Sequence, residues 1–188
     1  MANLRITSPL DKETVARLRA GDTVTISGIV YTARDAAHAQ LTVAIQQRQV
    51  LPFDPAGQTI YYMGPSPTPP GHIIGACGPT TSSRMDYFTP TMLQAGVRAM
   101  LGKGERSTTI KEALMIHHAV YLVTYGGAGA LLAKAVHRAE IVAYPELGAE
   151  AVLRLEVTDM PAIVAYDIYG GDLFVEEISK YAQEPTRD

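Results

Sequence analysis

Only one of the 188 residues is cysteine, Cys77. A single thiol excludes a disulfide framework, a structural zinc site built from several thiolates and an iron–sulfur cluster ligated by this chain alone. Excess positive charge is lacking too: 16 Lys+Arg face 19 Asp+Glu, a net charge of −3. That is not the basic footprint of a nucleic-acid binder. No apolar run approaches the ~18–20 residues of a membrane span. Met1-Ala2-Asn3-Leu4-Arg5 does not lead into a charged and then apolar stretch, so no signal peptide is expected. Internal repeats and low-complexity tracts are absent as well. These absences leave the expectation of a soluble, cytoplasmic globular protein. At this length a chain buries roughly 70% of the surface its unfolded form exposes, enough for a single domain without staples.

Ser8 as N-cap and Pro9 at the first position predict a helix ending at Gly21, with Leu10, Val15 and Leu18 on one side. Val24, Ile26 and Val30 alternate with Thr23, Thr25 and Ser27, a period of two that predicts a strand over 23–33. Ala37, Leu41, Ala44 and Ile45 predict a helix over 34–47. Short strands are expected at 59–63 and 72–77. Between them Gly64-Pro65-Ser66-Pro67-Thr68-Pro69-Pro70-Gly71 can neither continue a helix nor join a central strand, and it reads as a surface connection within one domain. Helices over 85–96 (broken at Thr89-Pro90), 107–118 (capped by Ser107) and 128–136 alternate with strands at 97–101, 120–125 and 140–144. Strands at 151–157 and 162–166 then follow one another, and a hairpin-like turn from Asp167 to Asp172 leads into a strand at 173–175. Alternation in the middle and succession at the end predict an α/β protein with a mixed sheet.

Chemistry-bearing residues concentrate where predicted strands end. Cys77-Gly78-Pro79 runs into four hydroxyl residues, Thr80-Thr81-Ser82-Ser83, and then Arg84 opening a helix. Hydroxyls and unpaired N–H groups at a helix start suit an anion, and a guanidinium fork suits a carboxylate or phosphate. An elaborate N-cap needs one such residue rather than four. Gly102-Lys103-Gly104 follows the strand at 97–101; it lacks the spacing of a P-loop, and alone it is a tight turn with a lysine. Arg34-Asp35-Ala36-Ala37-His38 sits at a strand-to-helix junction, where Asp35 would cap or brace Arg34 and His38 falls one turn later. Alone, that segment is equally a local ion pair. Tyr125-Gly126-Gly127-Ala128-Gly129 lacks the third glycine and the acidic residue of a dinucleotide site. His117 and His118 are adjacent and point apart, His72 and His137 have no ligand-like neighbours, and Cys77 reads as a buried small hydrophobe. Cations and hydroxyls at three strand ends would suit a ligand with two carboxylates.

Gly78-Pro79-Thr80-Thr81-Ser82-Ser83-Arg84-Met85-Asp86, the later Gly102-Lys103-Gly104 and Tyr144-Pro145-Glu146-Leu147-Gly148 together resemble the β-subunit of class I, iron–sulfur-dependent fumarate hydratase. The similarity runs from Thr23 to about Glu176 and extends to the related L-tartrate dehydratase β-subunit. It implies a swivelling β/β/α domain spanning 1–188, a mixed sheet layered against a second sheet and helices. It also implies a [4Fe–4S] cluster held by the cysteines of a partner α-subunit, with one open iron acting as a Lewis acid. No metal or cofactor would be bound by this chain itself. By resemblance Thr80 is the catalytic base, Arg34, Thr81, Arg84 and Lys103 hold the dicarboxylate, and Asp35 and His38 support them.

The implied reaction is reversible hydration of fumarate to L-malate, with the chain inactive away from its α-subunit. Tartrate dehydration and a non-catalytic anion-binding role are the rival readings. Contacts between two copies of the chain stay open, and an apolar face is expected where the α-subunit docks.

Overall fold

Period-two alternation builds the centre of the molecule. The computed structural model describes residues 3–181. Strands β1 (Asn3–Ser8), β2 (Thr23–Thr32), β3 (Thr59–Tyr61), β4 (Ala99–Gly102) and β5 (Val120–Val123) lie side by side and parallel. β6 (Val136–Ala143) and β7 (Val152–Tyr166) complete a seven-stranded mixed sheet of order β1-β2-β3-β4-β5-β7-β6. β7 runs antiparallel to β5 and β6 and also pairs with β2, from Tyr31↔Arg154 to Thr23↔Ile163. The ladder β2-β3-β4-β5-β7 therefore closes on itself, which leaves the central parallel strands no free edge.

The closure divides the core. Tyr61, Leu101 and Leu122 point inward and meet Val24, Ile26, Leu155 and Val164. Their neighbours Ile60, Tyr62, Met100 and Tyr121 point outward. There they are covered by α2 (Asp35–Gln46), α3 (Thr89–Gln94) and α4 (Thr108–His117), through Leu41, Leu93 and Leu114. β3, β4 and β5 are buried on both faces, which is why they read as continuous apolar runs. Each fully buried leucine here contributes roughly 1.5–3 kcal/mol, so Leu101→Ala is costly. The short α1 (Lys12–Arg17) and α5 (Gly129–Ala133) flank the inner core through Val15 and Leu132.

Several sequence expectations change. The first helix starts at Lys12 rather than at Pro9, because Ser8 still belongs to β1 and the Asp11 carboxylate accepts from Thr14 N. Residues 72–77 form no strand. Their backbone bonds the proline loop and α5 instead, with Ala76 N on Ser66 Oγ and Cys77 N on the Gly129 carbonyl. The expected helix over 85–96 is split: a four-residue 3-10 turn (Ser82–Met85) ends four residues before α3, whose first turn takes Pro90. The strands expected at 151–157 and 162–166 are one continuous β7, bent at Asp159 with φ 49°. Leu173–Val175 opens a helix, α6 (Leu173–Tyr181), because Asp172 Oδ1 accepts from Phe174 N and Val175 N. Among the described residues, no helix is long and apolar enough to cross a membrane.

Candidate functional site

Parallel strands deliver their C-terminal ends to one edge of the sheet, and the candidate residues collect there. Arg34 lies two residues after β2, Gly64 three after β3, Lys103 one after β4 and Gly126 three after β5. The segment 79–84 crosses between these ends. Pro79 bridges Met63, Thr80 N donates to the Tyr62 carbonyl at 2.7 Å, and Thr81 bridges Lys103. The loop carrying Thr80, Thr81 and Arg84 is thus laid across the ends of β3 and β4.

Ser82 locks that crossing. Its N–H donates to the Lys103 carbonyl at 3.0 Å, and its Oγ accepts from Lys103 N at 3.0 Å. The Tyr121 hydroxyl lies 2.8 Å from both Ser82 Oγ and the Gly104 carbonyl. With one proton it serves both only if Ser82 donates to it while it donates to Gly104, since a carbonyl can only accept. Gly102 is what lets Ser82 in: a Cβ there would lie 1.9 Å from Ser82 Oγ. The lysine side chain extends past Gly126 and, among the described residues, makes no ion pair.

On the other flank Arg34 and Arg84 are joined through carboxylates. Asp35 accepts from Arg84 Nε at 3.0 Å and Nη2 at 2.8 Å. Arg34 Nη2 sits 3.3 Å from Glu150 Oε1 and 4.0 Å from Asp35 Oδ2. The brace expected from Asp35 to Arg34 is therefore supplied chiefly by Glu150, and Asp35 is turned toward Arg84. Arg34 itself is the N-cap of α2, not part of the helix, and its guanidinium side chain cannot accept a capping hydrogen bond. Glu150 Oε2 takes that role by accepting from Ala36 N at 2.9 Å. Gly64 leaves room for the arginine, since a Cβ there would lie 3.2 Å from Arg34 Cδ and Nη1.

His38 does not share the open side with Arg34. It is 1% exposed, packed against Tyr62 and Phe88, with Nδ1 2.9 Å from the Arg34 carbonyl. Burial lowers its pKa to about 4, partly opposed by that carbonyl, so the ring is neutral near pH 7. The expected helix start at Arg84 is also absent. With only a 3-10 turn there and Ser82 N already bonded, the loop offers an anion side chains and not a helix dipole. Thr80 is half-buried and Thr81 exposed, and neither hydroxyl has a hydrogen-bond partner among the described residues.

Cys77 is fully buried, its thiol donates to the Gly75 carbonyl at 3.4 Å, and burial pushes its pKa up to about 11. No three His, Cys, Asp or Glu side chains gather into a metal-binding group among the described residues. A groove of about 660 Å³ beside α5, lined by Ile73, Ile74, Ala133 and Val136 together with His72, Lys134 and His137, shares no residue with this cluster.

Sequence reasoning found the strand-end cations and hydroxyls. It missed Glu150 and Tyr121, which hold Arg34 and Ser82. Only Glu150 carried a local signal: it follows Tyr144-Pro145-Glu146-Leu147-Gly148 by two residues, opposite a helix with no cap of its own.

Comparison with known proteins bears on this arrangement. A family model described as Fumarase C-terminus matches residues 1–177. Fumarate hydratase class I, anaerobic, of Escherichia coli is 39% identical over 167 residues, covering 87% of this chain and 30% of that protein. Fumarate hydratase 2 of Leishmania major is 36% identical over 175 residues, 91% of this chain and 31% of that protein. The chain thus spans less than a third of the length of these relatives. A protein of Methanocaldococcus jannaschii with the provisional name L(+)-tartrate dehydratase subunit beta is 36% identical over 185 residues, 95% of this chain and 94% of its own.

Proposed function

The chain belongs to the fumarase C-terminus family, and from that premise we propose that it is the β-subunit of a cytoplasmic, two-component hydro-lyase adding water reversibly to fumarate to give L-malate. The observation that carries this reading is the loop 79–84 laid between Lys103 on one side and the Asp35-linked Arg84 and Arg34 on the other. Three cations and two unpartnered threonine hydroxyls at neighbouring strand ends suit a substrate with two carboxylates.

In the dehydration direction, the Thr80 hydroxyl as its alkoxide takes the proton from the carbon beside a carboxylate while hydroxide leaves the adjacent carbon, and in hydration it returns that proton as hydroxide adds there. A free threonine is barely ionised near neutrality, so this role depends on Lys103 and Arg84 stabilising the alkoxide. Arg34 and Thr81 hold the substrate, and the cations stabilise the negative charge that builds on the carboxylate as the carbon loses its proton.

The residues of this chain do not form a ligand set for a [4Fe–4S] cluster, since its one thiol is buried and hydrogen-bonded. In this proposal the cluster belongs to a cysteine-bearing α-subunit, without which the chain is inactive, and the chain acts as a swivelling domain, within 1–188 and including the proline loop 64–71, that presents its strand ends to that partner.

End-to-end similarity to the M. jannaschii protein favours one second reading, in which the dicarboxylate is tartrate. Co-expression with a cysteine-bearing α-subunit, anaerobic cluster reconstitution and parallel assays on fumarate, malate and tartrate separate the two. Malate formed by the complex and by neither chain alone is the expected result. Preferential turnover of tartrate would replace fumarate as the substrate. Turnover of neither acid would overturn the enzymatic reading in favour of an anion-binding domain.

A further inference from the structure

We propose that Arg106 is a positioning residue for this reaction, fixing the loop that carries Thr80 and Arg84 against the loop that carries Lys103. The inference rests on the functional reading above. Arg106 lies three residues after Lys103, and Asp86 lies two after Arg84.

The Arg106 side chain is wholly buried. Its Nε donates to Asp86 Oδ1 at 2.5 Å and its Nη2 to Thr89 Oγ1 at 2.6 Å. Asp86 Oδ2 accepts in turn from Ser107 N at 3.0 Å, so one carboxylate holds two successive residues of the lysine loop. The guanidinium stands 5.4 Å and 5.2 Å from the ring centres of Tyr62 and Tyr121. Tyr62 supplies the carbonyl that takes Thr80 N, and Tyr121 bonds Ser82 and Gly104.

Asp86, Tyr62 and Tyr121 around Arg106 thus each touch the backbone of one of the two loops. Burying a guanidinium is costly, and an apolar side chain of similar volume would stabilise the fold as well. Directed bonds do what apolar packing does not: they set two loops at one distance and one orientation. An ammonium displaced by about 1 Å from its ligand can lose on the order of a hundredfold in rate. Arg106 sits where it prevents such a shift.

The test is a double-mutant cycle in the reconstituted complex, reading kcat/KM for malate and for tartrate. Arg106→Lys alone is expected to lower kcat/KM at least about tenfold. In a Lys103→Ala background the same replacement is expected to cost less than about threefold, because the ammonium it positions is gone. A merely structural residue would lower both backgrounds by the same factor. Equal losses, or unaltered kinetics for Arg106→Lys, would overturn the role. If Arg106→Lys does not fold, Asp86→Asn enters the same cycle, since it keeps the shape and one acceptor. An active wild type with equal losses defeats the positioning role alone. A wild-type complex inactive on both acids defeats the functional reading and this role with it.

Discussion

Asp35 grips Arg84 with both carboxylate oxygens, at 3.0 Å and 2.8 Å, although 49 positions separate them in sequence. The two side chains are 32% and 49% exposed, so the pair contributes only about 0–1 kcal/mol to stability. Its importance is geometric. The first turn of α2 and the loop 79–84 come from different strand ends, and this contact orients the arginine fork between them. In the proposed role, a dicarboxylate would share that fork with Asp35 or use its remaining nitrogen.

Asp35→Asn keeps the volume but weakens one of the two acceptors. In the assembled enzyme, KM for the dicarboxylate is expected to rise on the order of tenfold through loss of orientation, while the melting temperature hardly moves. Steady-state kinetics beside calorimetry check both. A lowered melting temperature with an unchanged KM would assign Asp35 to the fold instead of the site.

Thr80→Ala is expected to lower kcat by about 10²–10⁴, the range for losing a positioned proton-transfer group. The side chain bonds nothing among the described residues and Thr80 is tied down through its backbone N–H, so assembly with the partner should survive. Thr80→Ser, which keeps a hydroxyl, should recover part of the rate. Near-normal turnover by the alanine variant would end the base assignment.

Gly102→Ala places a methyl group 1.9 Å from Ser82 Oγ. That oxygen cannot swing away without losing Lys103 N and Tyr121, and overpacking together with a broken buried hydrogen bond costs roughly 2–4 kcal/mol. Adding Ser82→Ala removes the atom that clashes. The double variant should therefore be no less stable than Gly102→Ala alone, as denaturant melts would report; additive losses would mean that the Ser82 contact is not what Gly102 protects.

The strand ends were legible because their signals are local: period-two alternation up to Thr32, Gly-Lys-Gly after β4, and a Gly-Pro run into four hydroxyls. Arg34, Thr80, Arg84 and Lys103 could be picked out before any contact was known. What holds them was less legible: Glu150 and Tyr121 act from far along the chain, and Arg106, though three residues from Lys103, bonds Asp86 and Thr89, which no local pattern announces. Their types fit an ordinary solvated surface or core equally well. Nor could 72–77 be separated from a strand, since a short apolar run carries the same composition whether it pairs with a sheet or a loop. At Leu173–Val175 the capping residue Asp172 also fits a turn, and strand-forming side chains conceal a helix start.

His38 ties the site to pH through the fold. Its Nδ1 faces the Arg34 carbonyl, which can only accept, so the neutral ring carries its proton there. Burial lowers the pKa from 6.5 to about 4; the nearby Arg106 charge adds to this, while the carbonyl and Asp35 oppose it. Between pH 6.5 and pH 4 the unfolded chain therefore binds a proton that the folded chain refuses. The stability linked to the neutral ring is full above pH 6.5, declines as pH falls and levels off below pH 4, a total of about 3 kcal/mol. Carboxylates titrate over the same range, so the measurement is the difference between wild type and His38→Gln, which keeps a donor for the Arg34 carbonyl. Urea unfolding at neutral pH should favour the wild type, and that advantage should shrink or reverse near pH 4.5. An equal difference at both values would mean that His38 takes up its proton in the folded protein as readily as in water.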